Sequence, residues 1–217
     1  MIFTYDFPGD PMHNYLASPI NNQTNGQPAG ATFSDFTRTA DLTQMPGAPA
    51  IDDYGTQSWN QTGSINPAQY EGFTITAAWN SHLNLTSLNF DIQLKPSGPL
   101  NVEVQLFLNG SPTPYGTPLD LTPTVTDTTY TFNFTPLTDA NNVTTAEFRF
   151  FGWNASAAGG GIILDNVITN GTVVIAPEAN PAYFAILPVL LALGSLGRHI
   201  FRARKPRAKS SAPPLTA

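Results

Sequence analysis

From Leu83 onward, hydrophobic and polar residues alternate along the chain. Leu88, Phe90, Ile92 and Leu94 interleave with Asn89, Asp91, Gln93 and Lys95, and Val102, Val104, Leu106 and Leu108 interleave with Glu103, Gln105 and their neighbours. A period of two places successive side chains on opposite faces of a strand, one toward a core and one toward water. The segment Lys95 to Pro99 supplies a turn between these two runs, and Leu108 to Pro112 closes the second. The same alternation returns at Tyr130, Phe132 and Phe134, and again where Phe148 and Phe150 bracket Arg149. Residues 160–174 read as a final strand pair or one long bent strand. Weaker strand signals cover Phe3 to Phe7, Thr32 to Thr37 and Tyr70 to Ala78, while residues 38–69 are the least patterned and read as a long loop or covering segment. About eight short strands separated by Gly, Pro and Asn predict an all-β fold, an antiparallel β-sandwich. The pattern changes only at the end, where a near-unbroken apolar run, Ala182 to Gly197, is followed by a basic cluster.

Composition sharpens this division. Six of the nine Lys and Arg lie in the last twenty residues, whereas the chain upstream of Pro177 carries three basic residues against fourteen acidic ones, a net of −11. Charged residues make up only 11% of the 217 residues, against about 25% in ordinary soluble domains. An acidic body without a basic footprint excludes nucleic acid as a partner. There is no cysteine, which excludes disulfides, thiolate catalysis and Cys-ligated zinc. Asn-x-Ser/Thr triplets recur, at Asn60, Asn133 and Asn154 among others, as expected by chance in a chain rich in Asn and Thr. The first residues lack both a basic n-region and an apolar h-region, so an export leader is expected upstream of Met1.

An apolar run extending through residues 182–201 has the length of a membrane-spanning helix, about 20 residues. Tyr183 and Phe184 stand at one end; Arg198, Arg202, Arg204, Lys205 and Arg207 stand at the other, where long cations hold that flank in the cytoplasm. Pro177, Glu178 and Ala179 precede the run, so that residues 177–209 resemble the PEP-CTERM sorting signal of Gram-negative bacteria, with Ala179 in place of that signal's second proline. The resemblance implies a partner, an exosortase-type membrane peptidase or transpeptidase. It also implies a membrane-anchored precursor and delivery to the cell envelope, surface or exopolysaccharide matrix. The expected architecture is therefore a jelly-roll-like β-sandwich, residues 1–176, followed by a single C-terminal transmembrane helix.

The body resembles the jelly-roll domains that precede such signals, through Tyr5-Asp6-Phe7, the run Ala31 to Arg38, Gly72 to Ile75, Leu85 to Asp91, Phe148 to Gly152 and Ile163 to Gly171. That resemblance implies a fold and no activity. The three histidines, His13, His82 and His199, have no metal-site spacing, and neither a nucleophile elbow nor a phosphate loop is present. Asp52 and Asp53 are adjacent in sequence, so on a strand they would point to opposite faces and could not pair across a cleft. Asp165 shares a strand face with Ile163 and Val167 and needs a partner for its charge. Similarity to carbohydrate-binding jelly rolls implies a structural calcium held by Asp165 with Asp6 and Asp10; the other reading pairs Asp165 with Arg149 or with turn donors. Trp59, Trp79, Trp153, Tyr54 and Tyr115 are available either as core plugs or as platforms for a sugar ring. The sequence thus reads as a non-enzymatic surface protein, with a lectin-like carbohydrate-binding module as the alternative.

Overall fold

In the computed structural model the described residues are 2–5, 30–34, 36–45, 54–137 and 141–175. They form twelve strands: β1 (Ile2–Tyr5), β2 (Ala31–Phe33), β3 (Thr37–Arg38), β4 (Thr43–Gln44), β5 (Tyr54–Gln57), β6 (Glu71–Ala77), β7 (Ser81–Leu94), β8 (Pro99–Leu108), β9 (Leu119–Leu121), β10 (Thr128–Asn133), β11 (Thr145–Ala155) and β12 (Gly161–Ile175). Every pairing is antiparallel. Sheet I runs β10-β7-β12-β5-β4, with β1 also on β12; sheet II runs β2-β6-β11-β8-β9, with β3 also on β6.

The alternation read from the sequence lines the space between the sheets. Leu88, Phe90 and Ile92 of β7 face Val102, Val104 and Leu106 of β8 and Ala146, Phe148 and Phe150 of β11, all within 1% of complete burial. Phe90 of sheet I bridges the layers, edge-on to Phe150 of sheet II at 5.0 Å, while within sheet II Phe148 stacks on its cross-strand partner Phe73 at 5.2 Å. Burying such aromatics is the main stabilising contribution in a protein with no disulfide. The segment read as a loop, residues 38–69, contributes β4 and β5, and Tyr54, Thr56 and Trp59 from it are buried. The predicted final strand is one long strand, β12, bent by irregularities between Asp165 and Ile168 and between Asn170 and Gly171.

The sandwich half of the expected architecture is present; the transmembrane helix is corrected. The described residues hold strands and turns without an α-helix, and none of their elements is a helix long and apolar enough to cross a membrane. The chain divides into two units, Met1–Ala176 and Pro177–Ala217. Pro177, Glu178, Ala179, Arg198, Arg202, Arg204, Lys205 and Arg207 all lie outside the described residues.

The hairpin from β8 shows how turn chemistry fixes register. Asn109 and Gly110 adopt φ of 51° and 71°, and Ser111 N–H closes the turn on Leu108 O at 2.9 Å. Two successive positive φ values match the strand twist and favour Asn-Gly. Asn109 Oδ1 also accepts from Thr144 N (2.8 Å), Thr144 Oγ1 (3.1 Å) and Thr145 N (3.2 Å), which anchors the start of β11 to the turn.

One acid interrupts the core. Glu71 occupies an inward position on β6, paired with Phe150 of β11 and with Arg38 of β3, and is completely buried. Burial pushes its carboxyl up from about 4.5 to about 8, against the opposing pull of the Thr56 hydroxyl and the Arg38 charge.

Two outcomes are expected. Asn109→Ala removes three acceptor bonds and a side chain suited to positive φ, and costs about 2 kcal/mol in urea unfolding. For Glu71 the folded pKa lies above the unfolded one. Its contribution is therefore fully present below the unfolded pKa and is lost as pH rises through the folded value, at up to about 1.4 kcal/mol per pH unit. Unfolding midpoints should fall between about pH 5 and 8 and level off above that in the native chain, and stay flatter throughout in Glu71→Gln.

Candidate functional site

The outward positions of sheet II carry the chemistry. On β11 the residues that alternate with the core set are Glu147, Arg149, Phe151 and Trp153. Across the ladder to β8 they meet Phe107, Gln105, Glu103 and Asn101 respectively. On the other flank, Gly72 of β6 lies opposite Arg149, and Tyr70, just before β6, brings its ring to 5.5 Å from Phe151. Asp120 of β9 stands across from Glu103. One sheet face thus collects four aromatic rings beside an arginine, three carboxyls and two amides.

Arg149 organises the middle of this face. Its Nε and Nη2 donate to the two oxygens of Glu147, each at 2.7 Å. The guanidinium lies 4.5 Å from the Tyr70 ring centroid and 4.2 Å from that of Phe107. A bidentate pair between two rings fixes every atom of the fork. Hydrogen bonding to Glu147 holds the Arg149 pKa above its ordinary value, with burial opposing.

Glu103 and Asp120 form a second polar group. Burial pushes the Glu103 carboxyl up; Gln105 Nε2, donating to Glu103 Oε1, opposes this, and the hydrogen bond and like charge of Asp120 add to it. The pair sets two acidic side chains opposite one another on adjacent strands. Two carboxyls in hydrogen-bond contact are too close for glycoside hydrolysis, which needs about 5 Å or more between them.

The far end of the face is held by the segment after β5. β6 accompanies β11 only as far as Phe150. Beyond that point Thr62 O and Asn60 O accept from Asn154 N and Ala155 N, each at 3.0 Å, so the loop completes the ladder. Asn60 braces the loop, accepting from Thr62 N at 3.0 Å and donating to Ser64 O at 2.7 Å. Gln69 Nε2 ties its other end to Ser58 O at 2.7 Å. Beneath, a Cβ on Gly152 would stand 2.7 Å from the Trp59 ring; glycine there lets Trp59 lie directly under β11.

The sequence-derived candidates are dispersed by this geometry. Trp59 and Tyr54 are each 1% exposed and belong to the core. Tyr115 is half-buried against it. Trp79 is 87% exposed at the β6–β7 turn, at the opposite end of sheet II from Trp153. Only half-exposed Trp153 lies on the polar-aromatic face. Asp165 does not meet Arg149, which is on the other sheet and paired with Glu147. Its Oδ1 accepts from Asn166 N at 2.7 Å and its Oδ2 from Asn166 Nδ2 at 3.2 Å. Asp6, Asp10, His13, Asp52 and Asp53 lie outside the described residues. Among the described residues no group of three or more His, Asp or Glu could hold a metal ion. Tyr70, Phe107, Phe151, Arg149, Glu103 and Asp120 were not singled out from the sequence as site residues, although the Arg149 alternation placed it on a solvent face.

No family model matches the chain, and no curated protein matches it. Among solved structures it is similar to the K2 cleaved adhesin domain of Lys-gingipain, with 13% identity over 78% of this chain and 99% of that one and a TM-score of 0.40. A family 11 carbohydrate-binding module from Clostridium thermocellum is 14% identical over 68% of this chain and 89% of its own, with a TM-score of 0.35. A xylan-binding domain from Paenibacillus barcinonensis is 11% identical over 68% and 95%, with a TM-score of 0.37. At such identities and scores these similarities assign neither family nor ligand to the chain. The expected PEP-CTERM sorting protein is corrected: no family model supports it, and no helix among the described residues is long and apolar enough to cross a membrane. The exosortase-type partner, the membrane-anchored precursor and the cell-envelope address rested on that reading and fall with it.

Removing the Arg149 charge should loosen the face without collapsing the core. Arg149→Met is expected to cost about 1–2 kcal/mol in chemical unfolding, from the lost ion pair and ring contacts. Near-UV circular dichroism should show changed Tyr70 and Phe signals.

Proposed function

We propose that the sandwich is a non-catalytic carbohydrate-binding, lectin-like module that takes a neutral glycan along the outer face of sheet II. The observation that carries this reading is the juxtaposition, on one solvent-facing sheet surface, of half-exposed Trp153 and Tyr70 with the Glu103–Asp120 pair, Gln105 and Asn101. A pyranose ring offers an apolar C–H face and an equatorial rim of hydroxyls. The first suits an aromatic ring, and the second suits clustered carboxyls and amides that both donate and accept. The bidentate Glu147 contact neutralises the one cation of the face, and the body is strongly acidic. An anionic polysaccharide would meet repulsion there, so the glycan is assigned as uncharged.

Affinity electrophoresis of the full chain through gels containing neutral plant, fungal or bacterial polysaccharides tests this reading. Retardation by at least one of them is expected. Trp153→Ala and Tyr70→Ala should each weaken binding about tenfold or more, or about 1.4 kcal/mol, with both variants still unfolding cooperatively from a folded state. Absence of retardation in every gel, or loss of binding on Trp79→Ala with Trp153→Ala unaffected, would overturn the assignment.

A further inference from the structure

Glu71 and Arg38 are cross-strand neighbours on β6 and β3, yet they do not form an ion pair. Arg38 Nε donates to Tyr54 Oη at 3.1 Å, and its guanidinium lies over the Tyr54 ring at 4.5 Å. Arg38 Nη2 is buried without a partner. Neither carboxyl oxygen of Glu71, equally buried, closes a hydrogen bond, although the Thr56 hydroxyl stands near enough to lower its pKa. Unused donor and unused acceptors therefore sit side by side on paired strands. Unpaired buried groups are costly, and a charged carboxylate left so would cost most. The arrangement is the one expected of a neutral Glu71, consistent with burial raising its carboxyl.

We propose that Glu71, Arg38 and Tyr54 form a two-position proton switch. In the protonated form Arg38 is held by Tyr54, as observed. When Glu71 releases its proton to solvent, Arg38 turns from Tyr54 to the new carboxylate and fills its empty acceptors. Arg38 and Tyr54 are the charged and titratable groups acting on Glu71, from β3 and β5; β11 presents Phe150, and Thr56 adds an uncharged hydroxyl.

The exchange reaches the surface through two short connections. Thr39, next to Arg38, donates N–H to Tyr70 O at 2.9 Å and accepts Tyr70 N–H on Oγ1 at 3.2 Å. Tyr70 is itself the residue before Glu71. A shift of Arg38 thus pulls on the strand that positions the Tyr70 ring against Phe151 and Arg149. This last step rests on the glycan-binding reading; the switch itself does not.

The test is ultraviolet difference spectroscopy of the full chain from pH 6 to 9.5, on the native sequence, Glu71→Gln and Tyr54→Phe. A tyrosine band shift with a midpoint near 8, below phenol ionisation, is expected in the native chain and absent from both variants. A midpoint that persists in Glu71→Gln, or no midpoint in the native chain, overturns the switch. Tyr54→Phe supplies the same test independently should Glu71→Gln fold poorly. In the affinity gels, binding by the native chain should fall several-fold between pH 6.5 and 9, with Glu71→Gln holding constant. A spectroscopic midpoint with pH-independent binding would overturn only the link to Tyr70. A chain that binds no polysaccharide but shows the midpoint would overturn the glycan assignment and leave the switch standing.

Discussion

The edge-to-face contact between Phe90 of β7 and Phe150 of β11 is the point from which the rest of the molecule can be followed. It joins the strand next to the edge of sheet I to the middle strand of sheet II, and it fixes which side of β11 faces inward. With Phe150 committed to the core, strand geometry sends Arg149 and Phe151 to the opposite surface. A one-residue slip would exchange the two sets, placing Arg149 between the sheets and Phe150 in water. The register that satisfies the core is therefore the register that assembles the polar-aromatic face. Phe150 also lies across the ladder from Glu71, so the buried acid and the outer face share one structural reference.

Polar groups in this protein are arranged by what each would cost if left alone. On the surface, Arg149 is held by Glu147 and two rings, and exposure keeps the energies modest. Between the sheets, Glu71 has water on no side, and protonation is the least costly solution open to it. Tyr54 responds to the same environment: burial first and then Glu71 push its phenol up, with Arg38 opposing. Three side chains from β3, β5 and β6 thus share one electrostatic problem, and a change at one is felt by the others.

How much of this could be read in advance depended on distance along the chain. The alternation in β7, β8 and β11 is local and strong, and it specified strands, faces and most of the core. β4 and β9 have only two and three residues, too few for a period to emerge, and β5 is buried along most of its length. The face on sheet II depends on pairings that periodicity does not contain: Tyr70 with Phe151, and Glu103 with Asp120. For the same reason Trp59 and Trp153 looked equivalent as sequence, yet one lies beneath β11 and the other on its outer side. The apolar, positively terminated tail is the strongest local signal in the sequence and points to sorting, which neither the described body nor the family comparison supports.

The loop that completes the ladder beyond Phe150 gives the face an unusual economy. Main-chain atoms of Asn60 and Thr62 do the pairing, so that stretch is asked for a backbone path rather than for particular core side chains. Substitutions at its exposed positions could reshape the rim beside Trp153 while the aromatic interior remained as it is. Selection acting there would diversify what is recognised at little thermodynamic cost, much as a handle can be recut without reforging the blade.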